Sequence, residues 1–248
     1  MNIVIVMPTF NEGPNIARMI DILTKDVFPK IKHHHLTLLV VDSHSPDGTW
    51  KIVQEKSKTN RSVVLLDEGG KYGLGKAYID GFNYAIRKLK ADAVMEMDGD
   101  LQHNPHDIPR FVTEFAKGAD YIVGSRYIAG GSIPSEWGLD RKLLSIVGNL
   151  IYQTSLFMWD IHDFTTGFRL ARVRGFLDTI EFEKVFSKSF AYKTRLLYEM
   201  KKRGAKIKEI PIKFNLRLSG DSKMTTNTFT ESLKVIAVIW ADRLGLTK

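Results

Sequence analysis

The segment Met95–His103 (MEMDGDLQH) sets two carboxylates, Asp98 and Asp100, one residue apart directly after an apolar run. A neutral oxygen donor, Gln102, follows two residues later. Oxygen ligands of this kind suit a hard divalent cation, Mg²⁺ or Mn²⁺, which keeps several waters and bridges substrate phosphates. Side chains two apart on an extended segment face the same way, so Asp98 and Asp100 are expected to address one ligand. Two solvated aspartates in a turn are the competing reading. The position at a strand end and the presence of Gln102 weigh against it.

Two further segments carry possible chemistry. In Leu39–Trp50 (LVVDSHSPDGTW), Asp42 closes a second apolar run, where a carboxylate can accept hydrogen bonds from a ribose or a base. Pro46-Asp47-Gly48 reads as a turn and helix start whatever the function. Gly69–Ala77 (GGKYGLGKA) is a glycine-rich loop entering a helix, and backbone N–H groups there can hold anions. It is not a Walker sequence, and a packing loop explains it equally well.

These residues need a scaffold. Asn2–Met7 reads as a buried strand ended by Pro8, followed by a helix over Gly13–Thr24. Strands are predicted at Leu36–Val41, Ser62–Leu66, Ala93–Met97 and Tyr121–Val123, with helices up to Lys58, over Gly73–Lys90 and over Pro105–Lys117. Such alternation predicts a mostly parallel sheet with helices on both faces, and ligands outside the carboxyl ends of the strands. Pro8–Glu12, Asp42 and Asp98–Asp100 all fall there. Beyond residue 124 the pattern loosens. Helices are expected near Arg141–Trp159 and Tyr192–Lys202, strands near Gly167–Ala171 and Ile207–Phe214, and an amphipathic helix over Phe229–Leu246.

Bulk composition narrows the classes. The 248 residues, 44% hydrophobic, suit one large α/β domain, with residues 1–124 and 125–248 as its two halves. There is no cysteine, which excludes disulfides, thiolate metal sites and a thiol nucleophile. Net charge is +8, which favours anionic substrates or an anionic membrane surface. No Lys/Arg run with interleaved aromatics supports nucleic acid. His33–His35 read as a solvated loop. No signal peptide is visible, so the protein is expected to face the cytoplasm. Leu143–Trp159 is too short and too polar for a span of about 20 apolar residues, and reads as a buried or interfacial helix.

Taken together, the chain resembles glycosyltransferase family 2, and within it the polyprenol-phosphate mannose synthases. The residues that carry the resemblance are PTFNE (Pro8–Glu12), VVD with SPDGTW, GLGKA, MDGDLQH, GSRY (Gly124–Tyr127), DFTTGFRL (Asp163–Leu170), EIPIKF (Glu209–Phe214) and GDSKM (Gly220–Met224). They occur in the family's order. The resemblance implies the GT-A nucleotide-diphospho-sugar fold and transfer of a sugar, commonly mannose from GDP-mannose, to a dolichol or polyprenol phosphate. It assigns Pro8, Phe10, Glu12 and Asp42 to the nucleoside, and Asp98, Asp100 and Gln102 to the metal and diphosphate. Arg126, Arg141 and Ser145 become the acceptor-phosphate cradle. Arg217, Ser222 and Lys223 become an element closing on the donor phosphates. Peripheral membrane contact or a membrane-anchoring partner fits the same picture.

The pattern is broken in places. Relatives usually carry a second Asp where this chain has Ser43, and a Tyr where it has Phe10. Where relatives usually read Gly-aromatic-x-Phe-Gln-x-Glu, this chain has Ser189, Lys193 and Arg195 at the Gly, Gln and Glu positions. Other readings are another donor such as UDP-glucose, a non-lipid acceptor with Asp160 or Asp163 as base, or a degenerate nucleotide-sugar-binding module. A phosphate acceptor, already anionic at neutral pH, needs no base, so His103 and His106 are not required as one.

Overall fold

A computed structural model describes residues 1–185, 191–216 and 227–246. Among them lie seven strands: β1 (Asn2–Thr9), β2 (His35–Asp42), β3 (Val63–Asp67), β4 (Ala93–Glu96), β5 (Tyr121–Ser125), β6 (Arg169–Arg172) and β7 (Ile207–Pro211). They form one sheet of order β3-β2-β1-β4-β6-β5-β7. Neighbours pair in parallel except β6, which runs antiparallel to both β4 and β5. Because β6 is inserted between strands from before residue 124, the two halves of the chain share one sheet.

The central strands β1 and β2 are nearly continuous apolar runs, as strands covered on both faces require. In β1, Val4 and Val6 pack with Tyr78 and Phe82 of α3 (Leu74–Arg87) and Tyr192 and Leu196 of α7 (Tyr192–Lys202). Ile3, Ile5 and Met7 face the other way, onto Ile16 and Met19 of α1 (Gly13–Asp21) and Phe111 of α4 (Ile108–Ala116). The remaining helices are α2 (Thr49–Thr59), α5 (Leu139–Leu156), the single turn α6 (Phe182–Val185) and α8 (Asn227–Arg243).

Several expected boundaries move, for physical reasons. Pro8 does not end β1; it sits opposite Val41 inside the strand. Its missing N–H would point to the β4 side, and β4 pairs only as far as Val6, so no ladder bond is lost. The first helix leaves α geometry at Asp21 and continues as a π-helical segment, Ile22–Val27. Thr24 there bonds back to the Ile20 carbonyl at 2.8 Å, a contact that loosens the regular ladder. The predicted strand to Phe214 stops at Pro211.

The helix predicted near Arg141–Trp159 is α5, and only Asn149, Tyr152 and Leu156 along it are buried. Among the described residues, no helix is long and apolar enough to cross a membrane.

α3 lies directly against the sheet. A Cβ on Gly81 would stand 2.3 Å from a Val6 methyl and 3.0 Å from one on Val41. Glycine is needed here for close approach, and α3 carries side chains into the site. Gly81→Ala is expected to lower stability by about 1–3 kcal/mol, the usual cost of overpacking a core. Urea unfolding of the two proteins measures it.

Candidate active site

The carboxyl ends of β1, β2 and β4 converge where strand order reverses about β1, the usual place for a ligand in an open α/β sheet. β1 runs into Phe10–Glu12. Phe10 is half-buried, with the Lys71 ammonium 3.9 Å from its ring centre. Glu12 is buried and accepts a 2.9 Å bond from Asn15, while its own N–H donates to Thr49 Oγ1 at 3.0 Å.

Asp42, assigned above to the nucleoside, is fully buried. Its oxygens accept from Thr9 Oγ1 (2.6 Å), Ser45 N–H (2.7 Å) and Ser45 Oγ (2.8 Å). Those bonds order the β2 exit loop and fix Thr9 beside Pro8 and Phe10. Next to it Ser43 donates to Glu68 at 2.8 Å, and burial pushes the Glu68 carboxyl up.

β4 stops at Glu96, so Met97–Leu101 form a turn and not an extended segment. The same-face argument for Asp98 and Asp100 therefore does not describe the local geometry; side-chain bonds orient them instead. Asp98 accepts from Tyr78 Oη of α3 at 2.8 Å. Asp100, 4% exposed, accepts the Gln102 N–H at 3.1 Å, across Leu101 in the left-handed region (φ 63°). Gln102 and Asn215 bond reciprocally: the Gln102 amide NH₂ donates to the Asn215 carbonyl (3.2 Å), and the Asn215 N–H to the Gln102 carbonyl (2.9 Å). The donor end of the Gln102 side chain is thus used, and its oxygen end can serve as a ligand.

His103 is buried, and its Nδ1 accepts the Asp98 N–H at 3.2 Å. Burial lowers its pKa to about 4, so the imidazole is neutral, and its 3.9 Å approach to the Asp98 carboxylate is no ion pair.

On the acceptor side, Arg126 follows β5 and grips Asp163 in two-point fashion, Nε and Nη2 each 2.8 Å from a carboxylate oxygen. Its backbone N–H adds a 3.0 Å bond to the same carboxylate, and Nη2 reaches Thr165 Oγ1 at 2.6 Å. Nη1 takes part in none of these bonds. Burial alone would raise the Asp163 pKa, but the Arg126 charge and hydrogen bonds outweigh it and hold the carboxyl below the usual range. A fully buried, ion-paired carboxylate of this kind cannot act as a general base. The other base candidate, Asp160, is ion-paired with Lys201.

Ser145 on α5 lies 2.5 Å from the Tyr127 hydroxyl. Asn149 ties the helix to the loop after it, accepting the Phe164 N–H at 2.7 Å and donating to the Ser145 carbonyl at 2.8 Å. Arg141 stands one helical turn before Ser145, its guanidinium 3.9 Å from the Trp137 ring centre. Arg126 and Ser145 are thus joined through the Asp163–Thr165 loop, with Arg141 next along the same helix. Arg217, Ser222 and Lys223 lie outside the described residues.

Sequence reading missed Tyr78, Glu68 and Asn215, which orient the named residues. It also missed a buried charged layer beneath them. Glu96 is 2% exposed and accepts from Tyr192 Oη at 2.7 Å. Arg169, fully buried, donates to Tyr121 Oη (3.1 Å) and to the carbonyls of Lys193 and Phe164 (both 2.6 Å). Glu96 was the visible signal, since a carboxylate inside an apolar strand demands partners.

The donor set fits a hard divalent cation. Among the described residues no three His, Cys, Asp or Glu side chains could hold a metal together. Asp100 and Gln102, with Asp98 beside them, would supply a few oxygens and leave the rest of the shell to water and diphosphate, as Mg²⁺ commonly requires.

Comparison with known proteins agrees with this architecture. The family model described as Glycosyl transferase family 2 matches residues 4–178. The chain is 32% identical over 246 residues to an undecaprenyl-phosphate mannosyltransferase from Micrococcus luteus, covering 99% of this chain and 95% of that one. It is 32% identical over 238 residues to a polyprenol monophosphomannose synthase from Mycolicibacterium smegmatis, covering 94% and 84%. Among solved structures, mannosyl-3-phosphoglycerate synthase from Rubrobacter xylanophilus superposes with TM-score 0.66 at 16% identity, covering 99% of this chain and 74% of that one. Glucosyl-3-phosphoglycerate synthase from Mycobacterium tuberculosis, in complex with Mn²⁺ and UDP-glucose, gives 0.65 at 17%, covering 98% and 79%. The last two likenesses establish the GT-A fold.

The Arg126–Asp163 pair yields a test. Asp163→Asn leaves a buried guanidinium uncompensated and is expected to cost about 3–5 kcal/mol at neutral pH. Because the folded pKa lies below the unfolded value of about 3.9, the Asp163 contribution is complete above that value and is lost as the pH falls toward the folded pKa. Urea unfolding at pH 7 and 3.5 should show the wild-type advantage shrinking at the lower pH.

Proposed function

The chain belongs to glycosyltransferase family 2, and on that premise we propose that it moves mannose from GDP-mannose to a polyprenol phosphate with inversion at the anomeric carbon. The observation that carries the acceptor is α5. Its inward edge presents Ser145 and Asn149 to the Arg126 loop, while its outward face exposes Leu143, Leu144, Ile146, Val147 and Leu150. A phosphate held at the inward edge with an isoprenoid chain along the outward face matches both surfaces. The two similar mannosyltransferases, named for polyprenyl acceptors, support the same reading.

The chemistry follows from the groups present. An acceptor phosphate is already an anion at neutral pH, so its oxygen attacks the anomeric carbon without surrendering a proton. The bond from that carbon to the diphosphate breaks, and the nucleoside diphosphate leaves with the electron pair. Asp100 and Gln102 would hold a divalent cation, which supplies charge to the leaving diphosphate when bound. Arg126, fixed by Asp163, is pre-aligned for the acceptor phosphate and needs no rearrangement to present its free edge. Asp163 orients the arginine and takes no proton.

The exposed apolar face of α5 and the net charge of +8 support contact with an anionic membrane surface, where such an acceptor resides. A second donor, UDP-glucose, is kept open by the altered loop at Ser43 and Glu68.

Purified protein is expected to transfer radiolabelled mannose from GDP-mannose to undecaprenyl phosphate in vesicles, in the presence of Mg²⁺ or Mn²⁺. Asp100→Ala should reduce transfer at least a hundredfold with the fold intact. Transfer from UDP-glucose alone, or full activity in Asp100→Ala, would overturn the donor or the metal assignment respectively.

A further inference from the structure

Lys193, a departure from the family pattern, reaches the site from beneath. Arg195, two residues on, turns away: its Nη2 lies 2.6 Å from Glu199 of the same helix and 3.6 Å from Asp242 of α8. That charge is neutralised between two helices. Lys193 points the other way and is 1% exposed. Its ammonium lies 5.7 Å from the Tyr78 ring centre, and Tyr78 is the residue whose hydroxyl holds Asp98. A Cβ built on Gly167 would stand 2.3 Å from Lys193 Nζ and 3.1 Å from Asp98 Oδ2, so ammonium and carboxylate meet at the same backbone point. Position 167 has no room for any side chain, and the ammonium fills the space that one would take.

Charge accounting shows what this does. Glu96 and Asp98, both reached from the end of β4, bring two negative charges to the α3–α7 side of the sheet. Arg169 and Lys193 bring two positive ones. Arg169 donates to Tyr121 and two backbone carbonyls, and its charge is coupled to that of Glu96. Burial holds the Lys193 pKa below its usual value, and the Asp98 charge is the largest influence opposing it.

We propose that Lys193 is a positioning residue that anchors Asp98 from beneath with a fixed positive charge, so that a divalent cation is left to Asp100 and Gln102. This rests on the metal reading above and deepens it. A neutral amide, which relatives usually carry at this position, would leave Asp98 with its full negative charge facing the diphosphate. The lysine thus lowers the site's attraction for a second positive charge and holds the first aspartate in one orientation.

The test is cation affinity, measured without turnover. Mn²⁺ is titrated by electron paramagnetic resonance into wild type, Lys193→Gln and Lys193→Met, with GDP and separately with UDP present. Removing a unit positive charge several ångströms from the site is expected to tighten Mn²⁺ binding about five- to tenfold. A lesion that merely loosened the fold would weaken binding, so a gain is diagnostic. Lys193→Gln guards against a misfolded Lys193→Met, because an amide is the group that relatives usually carry at this position. Affinity unchanged or weakened in a folded Lys193→Gln, with wild type binding Mn²⁺, overturns the role of Lys193 alone. No Mn²⁺ binding by wild type with either nucleotide overturns the metal reading and this inference together.

Discussion

The two-point bond between Arg126 and Asp163 is the constraint from which the acceptor side is built. Asp163 is fully buried and accepts not only from the guanidinium but from the backbone N–H groups of Arg126 and Thr166, each at 3.0 Å. The carboxylate therefore dictates the course of the loop between α5 and β6 as well as the angle of the arginine. Glu209 on β7 accepts the N–H groups of His162 and Asp163, both at 3.0 Å, and brings the sheet edge into the same arrangement. Removing one charge from such a buried pair is costly, because it leaves the other uncompensated.

A second ionic layer supports the donor side by different means. Here many of the hydrogen bonds run to neutral groups. Glu96 takes a hydroxyl, Arg169 takes carbonyls and a phenol, and Asp98 takes a phenol, with the opposite charges near but shared. Burial alone would drive Glu96 toward its neutral form, and Arg169 and Lys193 oppose that drift. The layer thus behaves as a balanced unit beneath the Asp98–Gln102 turn. That explains how so short a turn keeps one geometry although its two aspartates lie on no regular element.

Much of this was legible before any coordinates. Apolar runs of strand length separated by helical segments fix a parallel α/β sheet, and the residues after β1, β2 and β4 can only gather at one edge of it. What escaped was of two kinds. The antiparallel β6 sits beside β4 because of long-range packing that no local pattern encodes. The orienting partners Tyr78, Asn215 and Tyr192 come from elements distant in sequence, with ordinary residue types. Glu96 was the exception, a carboxylate inside the strand run Ala93–Met97 that could not have been stable without the charges later found around it. Asp42 shows the opposite limit: its strand-end position was read correctly, but only the surrounding donors reveal that its oxygens order the protein's own loop.

α5 shows where periodicity alone runs out. Apolar residues at helical spacing normally mark the face turned to the core, and the segment Leu143–Trp159 reads as either a buried or an interfacial helix. In the fold its two halves differ: Tyr152 and Leu156 are buried, while the first half turns its apolar residues outward. Asn149, bonded to the loop at Phe164, is buried, whereas Leu143 and Leu144 are 61% and 59% exposed. The outward turn of the first half has a cause in the core itself. Arg126, Asp163 and Thr165 need polar partners on the helix that covers them, so Ser145 and Asn149 must turn inward and the leucines are left outside. The need to satisfy buried polar groups on one side of α5 and the outward apolarity of its first half are therefore two consequences of the same placement.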